Sequence, residues 1–493
     1  AMTTPGAMPP PHPDAHDQSR LAGPWIIGGL ACLSILLTAL FPVPEPEGVR
    51  LWTFARLHND IYQPAVEEWN AAHEMQVQVS VLGIQAIEQR MLSSFLSGTP
   101  SAELLEVERR IAARAFAGPV EAVGLVDLTD RLRRDGLLEG MNATSFTPWT
   151  SRGRIFGLPH DVHPVMLGYR ADIVEAAGID VSQIETWDDF IRVLSPLMRN
   201  PDGGKRTDRF LLNLWETHMD VMEALTLQAG GGIVDQSGVP SLDHPANARV
   251  LAHAVAWGRG ENRIAADAPY FNASGNRLLA EGFVIASFVP DWMCNLWRKE
   301  IPQLGGKVKL MPLPAWERGG RRTSAWGGSM LGIARDAPNT DALYEFAKHL
   351  YTSPELSRRL FQEGDIISPL RSFWNDPVYD QPDPYFSGQP RGRLFVSLAQ
   401  DVPPRYNSAF SGLCLLRLQA ATSRLAAYAD RTGQDTPESL LPEAQRILTQ
   451  AQAEMMERVS RNRFFAEDRA GTTEPGAAVP DTAEIVAAEK EAP

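Results

Sequence analysis

The chain has 493 residues, which at about 100–200 residues per domain is enough for two or three compact units with a sizeable core. Hydrophobic residues make up 44% and charged residues 22% of it, so the chain is neither wholly disordered nor a polytopic membrane protein. A formal net charge of −14 argues against nucleic acid as the main partner, because a phosphate backbone is itself negative.

Three cysteines, Cys32, Cys294 and Cys414, are too few and too scattered for a zinc motif or a disulfide framework. The sequence leaves two alternatives open for the later pair. Cys294 and Cys414 could form a single disulfide, or both could be buried free thiols.

The N-terminal segment changes character abruptly. Residues 1–23 are rich in Pro, Ala, Thr and His and predict a disordered tail, whereas Trp25–Phe41 has no charged residue and reaches the lower limit of about 17 residues for a bilayer span. We weigh a cleaved signal peptide, a lipoprotein signal at Cys32 and a retained anchor. The flanking residues depart from both cleavage patterns, so we favour a single-pass inner-membrane anchor over 24–42 and a linker over 43–48, with the remaining chain on the extracytoplasmic side.

The middle of the chain alternates between two hydrophobic periods. Val77–Val81 alternates as a strand does, and Ile84–Ser97 has the spacing of an amphipathic helix. The other predicted strands are Val49–Phe54, Phe283–Phe288 and Val308–Met311. The other predicted helices are Ile61–Ala72, Trp187–Met198, Val250–Trp257, Thr340–Tyr351 and, after the cap Thr436 and Pro437, Glu438 to about Arg463. Strands alternating with helices predict an α/β fold, in which helices cover a sheet.

The C-terminal residues 466–493 have no aromatic residue and no hydrophobic period, which predicts a disordered acidic tail. Seven acidic and two basic residues give this tail a net charge of −5. The folded part of the chain is therefore closer to neutral than the total of −14 suggests.

Short motifs follow one another in a fixed order between residues 49 and 465. They include SGTP at 97–100, LVDLTDRL at 125–132, GLPHDVHPVMLGYRADIVEAAGID at 157–180, TWDDF at 186–190, LLAEGFVIASFVPDWM at 278–293 and SAWGGSMLGI at 324–333. This succession resembles the extracellular solute-binding proteins of bacterial ABC importers, the family that includes the maltose-binding and glycerol-phosphate-binding proteins. The chain departs from the family pattern at 102–107, where an expected Asp is absent, and at Arg170, where Asn is usual.

The resemblance implies a two-lobed, type II (clamshell) periplasmic-binding-protein fold of the α/β class, with a ligand clamped between the lobes. The implied boundaries are 49–160 and 313–368 for lobe 1, and 161–312 with C-terminal helices over 369–465 for lobe 2. The chain would cross between the lobes at Pro159–Pro164 and Met311–Pro314, where prolines limit the backbone freedom. The resemblance implies ABC permease subunits as partners, and it implies no cofactor, no metal and no catalytic reaction.

Sugar-binding sites combine aromatic faces with carboxylates, amides and arginines. The resemblance places Trp292, in the sequence PDWM, where family members often carry a stacking tryptophan. Trp326 precedes the pair Gly327-Gly328, which would let the backbone approach a ligand. The third aromatic candidate is Trp215, followed by Glu216. Further polar candidates follow the first strand or lie near the crossings and a helix start: Arg56, His58, His160, Asp161, Arg371 and Arg405.

Each candidate also has a structural interpretation, as a core aromatic residue or a solvated loop. Trp69, Trp187 and Trp257 lie within helical periodicity and are predicted to be core. A metal site at His160-Asp161-x-His163 is disfavoured, because no third ligand cluster accompanies it.

The sequence thus predicts a membrane-anchored receptor for a sugar, an oligosaccharide or a sugar or polyol phosphate, which delivers its ligand to an ABC permease. The alternative is a tethered clamshell module that senses or binds a protein partner and has no transport role.

Overall fold

The computed structural model describes residues 17–40, 48–214, 218–462 and 464. The chain divides into two compact units, residues 1–47 and 48–493. The first unit contains helix α1, Asp17–Leu40. Across the described ranges, no helix has both the length and the apolar composition needed to cross a membrane, so the anchor predicted over residues 24–42 has no support from the structure. The predicted tails lie largely outside the described residues.

Strands and helices alternate through most of the second unit. The strands are β1 Val49–Thr53, β2 Val77–Val81, β3 Leu104–Glu108, β4 Thr150–Ser151, β5 Arg154–Ile155, β6 Leu158–Pro159, β7 Val165–Arg170, β8 Phe210–Asn213, β9 Ala265–Ala266, β10 Val284–Pro290, β11 Val308–Pro312 and β12 Ser329–Ile333. The helices up to β12 are α2 Arg56–Ala72, α3 Ile84–Ser97, α4 Arg109–Ala115, α5 Thr129–Arg134, α6 Leu137–Gly140, α7 Ala171–Ala176, α8 Trp187–Leu194, α9 Met219–Gln228, α10 Pro245–Trp257, α11 Ala273–Ala280 and α12 Met293–Glu300. The later helices are α13 Thr340–Tyr351, α14 Pro354–Gly364, α15 Arg391–Leu398, α16 Ser411–Thr432 and α17 Pro437–Ser460.

Two five-stranded sheets organise this unit. The first has the order β2-β1-β3-β12-β6, in which β1 runs parallel to β2 and β3 while β12 runs antiparallel to β3. The second has the order β11-β7-β10-β8-β9, in which β8 runs parallel to β9 and β10. We call the first sheet and its helices lobe 1, and the second sheet and its helices lobe 2.

The chain passes between the two sheets more than once. Residues 160–164 join β6 of the first sheet to β7 of the second. Residues 313–328 lead back from β11 to β12, which makes this link much longer than the predicted segment Met311–Pro314. A third passage follows α14, where Ile367 bonds both to Val162 of the first link and to Asp291 after β10.

Local sequence accounts for several element boundaries. The predicted elements Val77–Val81, Ile84–Ser97 and Thr340–Tyr351 have the same bounds in the structure. Gly98 ends α3 in the left-handed conformation, which glycine adopts without steric cost. The Thr436 side chain accepts a hydrogen bond from the Ser439 backbone and so caps α17, as the sequence predicts.

The buried hydrophobic residues form two clusters, and the larger one contains the three tryptophans assigned to the core. Trp69, Trp187 and Trp257 are all buried. Cys294 and Cys414 are also buried and both are free thiols, so the disulfide alternative is wrong.

Candidate functional site

A buried histidine lies at the centre of the first link. The Nδ1 atom of His163 is 2.7 Å from Asp291 Oδ1, and its Nε2 atom is 3.0 Å from Asp161 Oδ2. Burial alone would lower the pKa of His163, but the two carboxylates outweigh it and raise the pKa to about 10. His163 is therefore a cation held between two carboxylates.

The same carboxylates connect the links to one another. Asp161 Oδ2 accepts a hydrogen bond from the Ser329 amide, at the start of β12. Asp291 Oδ2 accepts one from the Ile367 amide at 2.8 Å, in the third passage. Burial would raise the pKa of Asp161, but His163 and His160 keep it below its ordinary value. All three passages between the sheets therefore meet at this one charged group.

A glycine pair brings the second link close to this group. Gly327 and Gly328 have φ angles of 108° and 114°, in the region that glycine alone adopts readily. A Cβ atom on Gly327 would lie 2.8 Å from both Trp292 Nε1 and His163 Cδ2. Gly327 is thus required for the close approach of the link to Trp292 and His163, and Gly328 is favoured by its backbone conformation.

Two tryptophans from the predicted set pack at right angles beside the glycine pair. The Trp292 indole donates a hydrogen bond to the Trp326 carbonyl at 3.1 Å, and the ring planes are 90° apart. Trp326 is 3% exposed, whereas Trp292 is half-buried. Phe271 is 49% exposed and stacks on Trp292 with an angle of 18° between the rings. Trp292 and Phe271 therefore form a partly open aromatic surface.

Charged side chains from both lobes meet next to these rings. Glu223, on α9 of lobe 2, lies 2.7 Å from Arg109, on α4 of lobe 1, and 2.5 Å from Arg405. Arg405 also donates to the Gly327 carbonyl at 2.8 Å. A second pair, Arg110 and Asp220, joins the same two helices at 2.8 Å. The two lobes are thus in direct ionic contact.

The charges of the buried groups in this cluster shift one another's pKa values. Burial would raise the pKa of Glu223, but Arg109 and Arg405 outweigh it and keep the pKa below its ordinary value. Burial, with a contribution from Arg405, lowers the pKa of Arg109 to about 10. All three groups are charged at neutral pH. We call Arg109, Glu223, Arg405, Asp161, Gly327 and Trp292 the interlobe site.

A second buried carboxylate lies in lobe 1, beside the first link. Glu106 accepts hydrogen bonds from Tyr62 at 2.6 Å and Tyr351 at 3.2 Å, and it is 2.6 Å from His58 Nδ1. Burial would raise its pKa, but His58 and other partners lower it to about 2. The His58 ring lies 4.5 Å from that of His160, which connects this cluster to the first link.

The structure brings together only part of the predicted set. Trp292, Trp326, Gly327, Gly328, His160, Asp161 and Arg405 converge, and His58 lies behind them. Arg56 is exposed on the first turn of α2, and Arg371 lines a separate groove with Leu137 and Phe373. Trp215 and Glu216 lie outside the described residues.

Five charged residues in or beside the interlobe site were not predicted as binding residues: Arg109, Glu223, His163, Asp291 and Glu106. Two of them carry a signal that could have been used. Glu106 interrupts the apolar strand LLEVE, and Glu223 interrupts the apolar helix MDVMEALTLQ. A carboxylate in the middle of a buried element requires a partner, and in this chain the partner lies more than 40 residues away in the sequence.

Within the described ranges, no group of three or more His, Cys, Asp or Glu side chains is arranged to hold a metal ion.

Two sheets joined by three passages, with a polar and aromatic site between them, define a two-lobed clamshell binding protein. The structural neighbours include the sugar-binding protein MalE from Xanthomonas citri, with a TM-score of 0.67, 15% identity, and coverage of 84% of this chain and 99% of that chain. A cyclic alpha-maltosyl-1,6-maltose binding protein from Arthrobacter globiformis gives a TM-score of 0.64 at 17% identity, over 83% and 99% of the two chains.

The sequence comparisons identify the family. The model for bacterial extracellular solute-binding proteins matches residues 55–355, which is more than half of the chain. An arabinooligosaccharide-binding protein of Bacillus subtilis is 22% identical over 399 residues, covering 80% of this chain and 90% of the relative. Its counterpart in Halalkalibacterium halodurans is 22% identical over 368 residues. The chain belongs to the bacterial extracellular solute-binding protein family.

Proposed function

We propose that this protein binds an oligosaccharide or a smaller sugar in the interlobe site and delivers it to an ABC permease. The observation that carries the proposal is the meeting of a half-open aromatic surface, Trp292 and Phe271, with charged groups from both lobes. A sugar ring presents an apolar C–H face and a rim of hydroxyl groups, and these two chemistries match the two parts of the site. The names of the relatives, as arabinooligosaccharide-binding proteins, support the same ligand class.

The ligand and the protein's own ion pairs would compete for the same groups. Arg109 has two buried nitrogen atoms, Nε and Nη1, without a hydrogen-bond partner among the described residues. A sugar hydroxyl that displaces part of this ion-pair cluster can accept from such a donor and so reduce the cost of its burial. The bound ligand then favours the closed arrangement by the difference between its affinities for the closed and open forms.

We propose binding and release, with no covalent chemistry. The family to which the chain belongs consists of binding proteins, which supports this view. Attachment to the membrane through residues 24–42 stays a prediction from the uncharged sequence, with a cleaved or lipidated N-terminus as its alternatives. Extraction of bacterial membranes with alkaline carbonate tests it against cleavage, because a single-pass protein stays in the pellet and a cleaved, soluble protein does not.

A second candidate function is a sensing or protein-binding module of the same fold. It is favoured by the contacts of Arg109 with Glu223 and of Arg110 with Asp220, since these ion pairs join the lobes through the protein's own side chains. Thermal-shift measurements on the full chain with arabinooligosaccharides and maltooligosaccharides separate the two. The transport proposal expects at least one sugar to raise the melting temperature, and no shift with either series would favour the sensing module.

A further inference from the structure

His160 is a buried histidine at the start of the first link. Its side chain is 1% exposed, and its Nδ1 atom lies 3.0 Å from Asp161 Oδ2. Because a carboxylate only accepts hydrogen bonds, Nδ1 carries the proton, and in the neutral ring Nε2 carries the lone pair. Within the described part of the chain, Nε2 is buried and has no hydrogen-bond partner. A proton added at Nε2 would therefore create a buried N–H group without an acceptor.

Titratable groups from α2, β3, α13 and the first link surround the His160 ring. They are His58, Tyr62, Glu106, Tyr351, Asp161 and His163. The His58 ring is centred 4.5 Å from the His160 ring, closer than either tyrosine ring. Glu106 lies behind it, 2.6 Å from His58 Nδ1.

These surroundings oppose a positive charge on His160. Burial, followed by the electrostatic effect of His58, lowers the pKa of His160, and together they outweigh the attraction of Asp161 and Glu106. Any arrangement in which the ring reaches water binds the proton more strongly. Acid therefore shifts the population towards such an arrangement, and the shift is expected below about pH 6.5, the ordinary pKa of histidine.

One carboxylate oxygen couples His160 to the orientation of the lobes. Asp161 Oδ2 accepts hydrogen bonds from His160 and from the Ser329 amide, and it is 3.0 Å from His163 Nε2. His163 in turn contacts Asp291 of lobe 2. Because His160 packs against α2 and α13, it reaches water when the first link moves away from these helices. Asp161 then moves with its neighbour, which weakens the bonds that hold the three passages together.

We propose that His160 is a proton-operated switch in the links between the lobes, and that acid opens the lobes and weakens ligand binding in the interlobe site. In the structure the lobes are in contact through Arg109 and Glu223. The proton is added at His160 Nε2, and no covalent step is involved. The effect on the ligand rests on the proposed function, whereas the opening of the lobes rests on the links alone.

Pulsed electron-resonance distance measurements between the lobes test the switch without a ligand. Ala117→Cys, after α4 in lobe 1, and Ala273→Cys, at the start of α11 in lobe 2, place a spin label at an exposed position of each lobe. Cys32→Ser removes the exposed native thiol from the full chain, while Cys294 and Cys414 are buried. We expect the population with the longer distance to increase at least about twofold between about pH 7.5 and about pH 5.0.

Two substitutions in this background assign the transition to His160. His160→Asn removes the titrating group and keeps a hydrogen-bond donor for Asp161, so its distances should be the same at both pH values. His58→Gln removes the neighbouring ring and should move the transition to higher pH, a shift that structural damage alone would not produce. His58→Gln also provides the test if His160→Asn does not fold.

Asp365→Asn is the matched control, because Asp365 also titrates in this range. Its side chain is 1% exposed at the end of α14, and burial raises its pKa to about 7. Asparagine accepts its observed φ of 62°. The acid transition should persist in this variant. The inference is wrong if the wild type shows no transition, if the transition persists in His160→Asn, or if Asp365→Asn abolishes it.

Titration calorimetry with arabinotriose and maltotriose at the same two pH values separates this inference from the proposed function. We expect a sugar to bind the wild type at least about threefold more weakly at the lower pH, and to bind His160→Asn equally at both. If neither sugar binds at either pH while the distances still change, the proposed function fails and the switch stands. If a sugar binds equally well at both pH values and the distances do not change, only the switch is wrong.

Discussion

Trp292 is the side chain on which ligand recognition is expected to depend most. Its indole is half-buried, bonds to the Trp326 carbonyl and stacks on Phe271. Trp292→Ala should weaken oligosaccharide binding by at least about tenfold, because aromatic anchors carry a large share of binding energy. It should lower the free energy of unfolding by only about 1 kcal/mol, less than the roughly 3–5 kcal/mol typical of a fully buried tryptophan. Titration calorimetry and urea unfolding measure the two quantities.

Trp316→Ala is the matched control for that prediction. Trp316 is also half-buried and stacks on another aromatic ring, that of Trp257, at an angle of 9°. Its other aromatic neighbours, Trp187 and His253, are not residues of the interlobe site. The Trp316→Ala variant should lose a similar amount of unfolding free energy and keep the oligosaccharide affinity of the wild type. Equal loss of affinity in both variants would mean that Trp292 acts only through the fold.

Because of His163, we expect the free energy of unfolding to fall as the pH becomes alkaline. Its pKa is raised to about 10 in the folded protein, against about 6.5 in an unfolded chain, so its stabilisation is complete below about pH 6.5 and is lost as the pH rises towards 10. His163→Asn keeps a residue that accepts the observed φ of 55° and removes the charge. The wild type should lose on the order of 3–5 kcal/mol more than the variant between pH 6.5 and 10.

Urea unfolding of both proteins across that range checks this prediction. The variant should be less stable than the wild type at pH 6.5, because Asp161 and Asp291 then lack the cation between them. Parallel pH profiles for the two proteins would show that His163 is not the titrating group.

At the residue scale, the sequence indicated the aromatic residues, the glycine pair, Asp161 and Arg405, but it did not indicate which charged residues these two pair with. Trp292 and Gly327-Gly328 stand in short motifs that can be recognised in one dimension. His163 and Asp291 are 128 residues apart, and Arg109 and Glu223 are 114 apart. Which charges pair over such distances depends on how the two sheets meet, and no local pattern specifies that.

Helices α4 and α9 form a direct contact between the lobes, and we expect its ion pairs to affect the equilibrium between the open and closed forms. The Arg110 guanidinium reaches both oxygens of Asp220 at 2.8 Å, and the Arg110 side chain is partly exposed. Because a partly exposed pair contributes only about 0–1 kcal/mol, Arg110→Gln should shift the open–closed ratio about two- to fivefold. Small-angle scattering of the unliganded protein should show a larger radius of gyration for the variant.

Arg114→Gln is the control on the same helix. Arg114 pairs with Glu88 of α3 within lobe 1, at 3.6 Å, so its removal should leave the radius of gyration unchanged. High salt should reduce the difference between Arg110→Gln and the wild type, since it screens exposed charges. A wild type that is already as expanded as Arg110→Gln would contradict the assigned contact.

The bounds of a helix were predictable where the hydrophobic pattern and the residue that caps the helix agree. Ile84–Ser97 has both an apolar stripe and Gly98 at its end, and its bounds are correct. Helix α2 was predicted to begin at Ile61 but begins at Arg56, because its first turn buries only His58 and so lacks an apolar stripe. The predicted helix Trp187–Met198 ends at Leu194 and continues as a 3₁₀ turn with a proline, which cannot supply the α-helical backbone donor.

For the whole molecule, the order of motifs predicted the two-lobed fold, whereas the links between the lobes were harder to predict. The second link runs over 313–328 and carries Trp326 and the glycine pair into the site, while the predicted link ended at Pro314. A long irregular link has no hydrophobic period, so its course is set by tertiary contacts such as the bond from Ser324 to the Ala224 carbonyl.

The central claim, that the interlobe site binds a carbohydrate, is tested most directly by titrating the full chain with arabinotriose and maltotriose in a calorimeter. The account predicts that at least one of them binds with one principal site and a Kd of about 10 μM or lower, and that Trp292→Ala weakens this binding. The absence of binding to both sugars, or binding that is unchanged in Trp292→Ala, would contradict it.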